Sequence, residues 1–136
     1  MNDYPVMVFT GKRTPFAQNN KVIFTVDGKR WANLPMYLDE VNHSPTGFEW
    51  GYGGSGPSQL AYAILRVRYE IIFHYTPEES KARAMKNYQH FKECVIARIK
   101  SDEWTLTSED IRKWWAKTLN GQLGYIDITS GCPVIR

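Results

Sequence analysis

Residues 48–72 read FEWGYGGSGPSQLAYAILRVRYEII, so that a glycine-rich segment runs directly into a long apolar one. The apolar part has large aliphatic residues at intervals of four, three and four: Leu60, Ile64, Val67 and Ile71. This is the spacing of one face of an α-helix, and further apolar residues flank the stripe, which indicates burial on more than one side. We therefore predict a central helix with Pro57 at its first position, where the missing N–H costs nothing.

Two more helices are predicted downstream from their start signals. Thr76 and Pro77 are typical of an N-cap and a first helical position, and the helix should run to about Lys100. Its predicted buried stripe is Ala84, Tyr88, Phe91, Val95 and Ile99. Residues 107–110 resemble a capping box for a third helix that ends at residues 120–121. That helix should bury Ile111, Trp114 or Trp115, and Leu119.

Strands are predicted at both ends of the chain. Residues 6–10 and 22–26 are β-branched and aromatic, and Asp27-Gly28 suits a type I′ turn that would return residues 29–33 as a third strand. A short helix is expected over 35–41, a short extended piece over 104–106 and a last strand over 123–129. The predicted fold class is α+β, a small N-terminal antiparallel sheet packed on about three helices.

Length and composition bound the remaining possibilities. The chain has 136 residues, 43% of them hydrophobic and 23% charged, which suits a single domain over 1–136 with a loose tail at 130–136. A net charge of +3 is far below that of a dedicated nucleic-acid-binding protein, so at most weak non-specific nucleic-acid contact is expected. Residues 60–73 carry three charges and are too few to span a bilayer, so no membrane partner is expected.

The glycine-rich segment carries the functional information, because four of the 10 glycines lie within residues 51–56. At least two of these glycines are expected at positive φ. Three interpretations stay open for this loop. It forms a tight aromatic-lined corner under the helix, it cradles an anion or nucleotide at the helix N-terminus, or it docks a protein.

Known phosphate-binding and catalytic motifs do not fit this segment. Gly51, Gly53 and Gly56 match the dinucleotide fingerprint only formally, because no hydrophobic strand precedes them and Pro57 opposes the turn. The lysine of a phosphate-binding P-loop is absent. The three histidines lack the spacing of metal ligands, so neither a metal nor a cofactor is expected.

The candidate ligand-binding or interaction residues are Glu49, Trp50, Tyr52, Gly53, Gly54, Ser55, Gly56, Lys29, Arg30 and Arg66. Tyr52 offers a ring for stacking, and the three cations are expected to reach the loop if the hairpin packs on the central helix. Glu49 is the acid beside the loop that could act as a general base, or else order the turn by accepting glycine N–H groups. No catalytic residue is assigned.

Residues 48–65 resemble the signature of a family of small uncharacterised proteins that is frequent in bacteriophage and plasmid genomes. The matching run is Phe-Glu-Trp-Gly-Tyr-Gly-Gly-Ser-Gly-Pro, any residue, then Gln-Leu-Ala. A weaker likeness extends over residues 88–114 and over the N-terminal strands. The resemblance implies a phage or mobile-element origin and a bacterial cytoplasmic location.

Two classes of function remain. The first is a non-catalytic binder of a host or defence protein, or of a nucleotide-like anion, for example a CRISPR effector inhibitor or a protein that sequesters a nucleotide signal. The second is an enzyme acting on nucleotides or nucleic acid, with Glu49 and the loop glycines at its site. The absence of paired acids, metal ligands or an activated nucleophile favours the binder.

Overall fold

The computed structural model describes residues 4–15 and 20–118. In chain order its elements are β1 (Met7–Lys12), β2 (Lys21–Val26), β3 (Ala32–Asn33), α1 (Ser55–Phe73), α2 (Pro77–Cys94), a 3₁₀ turn (Ile96–Arg98), β4 (Glu103–Thr107) and α3 (Ser108–Thr118). The predicted α+β class is confirmed. The predicted strand over 123–129, the tail at 130–136, Leu119 and the helix stop at 120–121 lie outside the described residues.

The four strands form one antiparallel sheet in the order β3-β2-β1-β4. Phe9 in β1 is paired with Phe24 of β2 on one side and with Leu106 of β4 on the other. The run expected only as an extended piece, 104–106, is therefore the core of β4 and completes the sheet from the far end of the sequence.

The Trp104 ring of β4 can lie over β1 because residue 11 is glycine. Gly11 and Trp104 are register partners, and a Cβ atom at residue 11 would lie 2.3 Å from the Trp104 ring. The Trp104 indole is buried over this position. Any larger residue at position 11 would push the indole out of its place.

The hairpin turn between β2 and β3 is confirmed. Asp27 has φ 54° and Gly28 has φ 71°, the two positive angles of a type I′ turn. The third strand is shorter than predicted, because Lys29 still belongs to the turn and its N–H bonds Val26 O at 3.1 Å. Ladder pairing begins only at Ala32.

Helix α1 is central, as predicted. It runs over 19 residues from Ser55, so Pro57 is the third helical residue and the prediction that it is the first is wrong. Most of the side chains of α1 are buried. Helix α2 packs along it, and the predicted shared core is confirmed: Trp50, Leu60, Ile64, Tyr88, Phe91 and Val95 all lie in one buried cluster.

The predicted caps of α2 and α3 are present. Thr76 Oγ1 accepts the N–H of Glu79 at 3.1 Å. Thr107 and Asp110 form a reciprocal capping box in which each side chain accepts the other residue's N–H at 3.0 Å. Helix α2 ends at Cys94 rather than near residue 100, because the chain tightens there into the 3₁₀ turn.

The helix predicted over residues 35–41 is wrong, and the segment forms turns instead. Tyr37 has φ 58°, which is incompatible with a right-handed helix. Besides the turn bonds to Tyr37 O, main-chain groups of this segment and of the residues just after it bind the buried amide of Gln59. Gln59 Nε2 donates to Met36 O and Val41 O, both at 2.7 Å, and its Oε1 accepts the N–H of His43 at 2.7 Å and of Ser44 at 3.1 Å.

None of the helices within residues 4–15 and 20–118 has the length and apolar character that crossing a bilayer requires.

Replacing Gln59 by methionine should destabilise the fold strongly. The substitution keeps the volume but removes both donors and the acceptor, and each buried polar group left unpaired costs about 1–3 kcal/mol. We expect a loss of at least about 2 kcal/mol in the free energy of urea unfolding. The matched control is Gln89→Met on the exposed side of α2, which should change stability little. Equal stability of the two variants would contradict a structural role for the Gln59 amide.

Candidate functional site

The glycine-rich loop, residues 48–54, lies at the N-terminus of α1 and presents one large side chain to solvent. Tyr52 is 51% exposed at its tip, whereas Phe48 and Trp50 on either side are buried in the core. The chain thus alternates between inward anchors and an outward ring. Gly54 is the N-cap of α1, and no side chain caps this helix end.

Two anchors fix the loop from below. The Trp50 indole Nε1 donates to Ser101 O at 2.8 Å, and the Trp50 ring packs edge-on against Trp104 with centroids 5.5 Å apart. The N–H of Gly51 donates to Ile96 O at 3.0 Å. The base of the loop is therefore tied to the 3₁₀ turn and to the segment that leads into β4.

An ion-pair cluster fixes the loop from the side. Arg13, directly after β1, is 2.7 Å from the carboxylate of Glu49 and 2.7 Å from that of Asp102. The same guanidinium donates to Trp50 O at 3.0 Å and lies 4.7 Å from the centre of the Trp50 ring. One arginine thus joins the end of β1, the loop and the chain before β4.

Glu49 is held as a carboxylate in this cluster. Its partial burial acts to raise its pKa, but hydrogen bonds from Arg13, the Trp50 N–H and Asn20 outweigh burial and lower the pKa below the ordinary value. A carboxylate that is stabilised in its charged form and already paired is a weak proton acceptor. Of the two roles open to Glu49, the structure favours ordering of the loop over general-base chemistry.

The expectation of two loop glycines at positive φ is wrong, because only Gly51 has one, at 91°. A Cβ at residue 51 would also lie 2.8 Å from Ile99 O. Gly54 is extended, with φ −173°, and a Cβ at Gly53 would meet nothing within 4 Å. Position 56 requires glycine for a steric reason, because a Cβ atom there would lie 2.6 Å from the Cβ atom of Glu49.

A small polar cavity of about 340 Å³ opens beside the Tyr52 ring. Its lining comes from the loop, the first turn of α1 and the segment before the loop: Ser44, Thr46, Gly47, Phe48, Glu49, Tyr52, Ser55 and Gly56. None of these lining residues is basic. The lining side chains supply one carboxylate and several hydroxyls, and the negative charge of Glu49 favours a hydrogen-bond donor over an anion.

The structure does not bring Lys29 and Arg30 to the loop. Both follow the turn at the end of β2, whereas the loop reaches the sheet where β2 begins, through a bridge between Phe48 and Asn20. A strand of six residues separates the two ends, a span of about 17 Å.

Arg66 is likewise committed elsewhere. It is buried in α1, with Nε 2.8 Å from Glu40 Oε1 and Nη1 2.5 Å from Glu70 Oε1. Tyr62 donates its hydroxyl to the same Glu40 oxygen at 2.7 Å, and the Arg66 guanidinium lies 4.8 Å from the centre of the Tyr37 ring. Arg66 therefore joins α1 to the 34–41 segment rather than contributing to the loop.

Sequence reasoning missed Arg13 and Asp102, which lie 36 positions before and 53 positions after Glu49 but join it in one ion-pair cluster in space. The unpaired acid beside three aromatic residues was the available signal, since a half-buried carboxylate needs a cation. Within residues 4–15 and 20–118, no group of three or more histidine, cysteine, aspartate or glutamate side chains is placed to hold a metal ion.

A family model described as a family of unknown function (DUF6166) matches residues 9–117, which is well over half of the 136 residues. No curated protein and no solved structure matches the chain.

Alanine substitutions at Gly51 and at Gly53 should distinguish a glycine that the loop backbone requires from one that it does not. Gly51→Ala places a Cβ on a backbone with positive φ and against Ile99 O, so we expect a loss of at least about 1 kcal/mol in unfolding free energy. Gly53→Ala meets open space and should leave stability unchanged or raise it slightly. If Gly53→Ala costs more than Gly51→Ala, the loop conformation described above is incorrect.

The Glu49 ion pair should make the free energy of unfolding depend on pH. Because the folded pKa lies below the ordinary value of 4.5, the stabilisation is complete above that pH and is lost as the pH falls through the folded pKa. Wild type should therefore exceed Glu49→Gln in unfolding free energy at pH 7, and the difference should shrink as the pH falls below about 4.5. Chemical unfolding of both proteins between pH 7 and pH 3.5 measures this; a difference that is constant with pH would contradict the ion pair.

Proposed function

The chain belongs to DUF6166, a family of unknown function, and we propose that it is a non-catalytic accessory protein that binds another protein through the Tyr52 loop. We further propose that it originates from a bacteriophage or other mobile element and acts in the bacterial cytoplasm. Its partner is a host or defence protein, with a CRISPR effector as one example of the class. The origin rests on the resemblance of residues 48–65 to the phage and plasmid signature.

The exposed Tyr52 ring on a fixed loop is the observation that carries the proposal. Tyrosine is enriched at the energetically important positions of protein interfaces, because it buries a large rigid area and retains a hydrogen-bonding hydroxyl. The Trp50 and Gly51 anchors and the Arg13 ion pairs hold the loop before any partner arrives. Binding would then cost little ordering of the loop.

Binding is favoured over catalysis by the state of Glu49. This acid is the candidate base of the enzyme alternative, and its Oε1 already accepts hydrogen bonds from Arg13 and the Trp50 N–H. As a general base it would have to take up a proton and so lose the negative charge that pairs with Arg13, which holds the loop in place.

A protein partner is favoured over an anion at this loop by the polar cavity beside Tyr52. Its oxygen groups on Ser44, Thr46 and Glu49 suit N–H donors, such as a lysine, an arginine or a free main-chain amide of the partner. We expect the partner to cover the Tyr52 ring and place a donor in this cavity.

Affinity capture from a lysate of phage-infected bacteria, followed by calorimetry on the purified pair, tests the proposal. Tyr52→Ala should weaken binding at least tenfold, as truncation of an interface anchor does. The matched control is Trp31→Ala, an aromatic ring 47% exposed beyond the β2 turn, which should leave affinity unchanged.

Two results would overturn the proposal. One is equal affinity of the wild type and the Tyr52→Ala protein while both remain folded. The other is multiple-turnover conversion of a nucleotide or nucleic acid by the pure protein, with loss of turnover in Glu49→Gln, which would establish the enzyme alternative.

A further inference from the structure

A second and larger cavity, of about 920 Å³, lies at the other end of α1. It is enclosed by the last turns of α1, the first half of α2, the start of α3 and the residues before β1. Arg68 in this cavity lies thirteen residues after Ser55, which places it about 20 Å along the helix from the Tyr52 loop. The cavity is therefore separate from the site considered above, and its role is independent of the proposed protein interface.

Arg68 is a buried cation that has no polar partner among the described residues. Its side chain lines the cavity and the residue is only 7% exposed. Its Nε is buried with no hydrogen bond, and its guanidinium makes no hydrogen bond or ion pair with any residue in 4–15 or 20–118. Burial lowers its pKa, which reflects the cost of this charge away from water.

The contrast with Arg66 shows that this fold can satisfy a buried arginine. Arg66 lies two residues earlier on the same helix and has Glu40 and Glu70 as partners. Within the described part of the chain, the guanidinium of Arg68 instead lies over the face of Phe73, whose ring centre is 5.2 Å from its carbon. A buried unpaired charge is strongly unfavourable unless a counter-ion arrives from outside the fold.

Aromatic rings form one wall of the same cavity. Phe73 and Tyr75 are stacked at 5.8 Å with an interplanar angle of 24°, and Tyr4 meets Phe73 edge-on at 5.4 Å. Tyr69 lies beside them, with its hydroxyl accepting from Asn87 at 3.1 Å. The faces of Phe73 and Tyr75 are covered by each other and by two guanidinium groups, at 5.2 Å and 4.2 Å, so the wall offers ring edges to a planar ring.

The rim carries further positive charge. Arg83 is paired with Glu79 at 2.8 Å, and Arg112 is paired with Glu109 at 2.6 Å, so these two cations are locally balanced. Lys86 has no ion pair within the described ranges. The uncompensated charge around the cavity thus comes from Arg68 inside and Lys86 at the rim.

From this arrangement we propose that the cavity binds a free nucleotide, with a phosphate on Arg68 and the base against the Phe73–Tyr75 wall. The planar guanidinium group of Arg68 can bind two phosphate oxygens at once. A phosphate would also supply the counter-charge that the described residues do not provide. Edge-to-face contact between these ring edges and the face of the base provides the second contact. Lys86 would reach the same or a neighbouring phosphate.

A free nucleotide fits better than a nucleic-acid strand. The volume is that of a small-molecule pocket. A strand would need several free cations along a groove, whereas the rim arginines are already paired with carboxylates. The cavity therefore offers one buried phosphate position rather than a track.

Calorimetry with AMP, ATP, adenosine and inorganic phosphate on the full chain tests this inference. AMP or ATP should bind at least tenfold more tightly than adenosine, which lacks the phosphate, and than phosphate, which lacks the ring. Arg68→Met should reduce the nucleotide affinity at least tenfold. It should melt at or above the wild-type temperature, because a buried unpaired charge has been removed.

Arg30→Met is the matched control, since it removes the same charge from an exposed turn residue and should leave nucleotide affinity unchanged. Tyr75→Leu should weaken AMP binding while leaving the weaker phosphate binding as it is, which separates ring from phosphate recognition. The inference is overturned if neither nucleotide binds at millimolar concentration, if Arg68→Met binds as the wild type does, or if a single-stranded oligonucleotide binds more tightly than every mononucleotide.

Discussion

The side-chain amide of Gln59 organises the part of the chain that has no regular structure. Four hydrogen bonds connect this buried group on α1 to main-chain groups between residues 36 and 44. That segment crosses from the sheet to the glycine-rich loop, so its position sets where the loop can begin. Arg66 adds a second tie from the same helix through Glu40. The loop, its Tyr52 ring and the small cavity beside it therefore depend on polar groups projected from an otherwise apolar helix.

Local signals in the sequence were sufficient for several elements. The Asp27-Gly28 turn, the Thr76 cap and the apolar stripe of α1 each depend on residues within a few positions of one another, and each was predicted correctly. The 35–41 segment was predicted wrongly because hydrogen bonds to the distant Gln59 amide set its conformation, and these override the helix propensity of its own residues. Pairing of β4 with β1 was missed for the same reason, since strand partners are chosen across the whole chain.

The two arginines of α1 show that the sequence does not predict which buried cation is paired. Arg66 and Arg68 occupy equivalent-looking positions in a helix that is apolar nearly all round, and the sequence alone singled out Arg66. In space Arg66 pairs with two carboxylates, whereas Arg68 faces an aromatic cavity and makes no ion pair with any residue that the structure describes. Which of two buried cations is paired depends on side chains brought in by other elements. The loop residues Glu49, Trp50 and Tyr52, by contrast, are neighbours in sequence and could be grouped from it.

The placement of β4 beside β1 has a consequence for how the protein is made. Strand β1 spans residues 7–12 and lies inside the sheet, yet the partner for one of its edges spans residues 103–107. At ribosomal rates of about 5–20 residues per second, that edge waits roughly 5–20 s for its partner to be synthesised. During this interval β1 and β2 can form a hairpin, but the Gly11 position has no indole above it and one row of main-chain groups stays unpaired. The nascent chain is thus exposed to mispairing until nearly all described elements have left the ribosome, and completion of the sheet is a late, long-range step in folding.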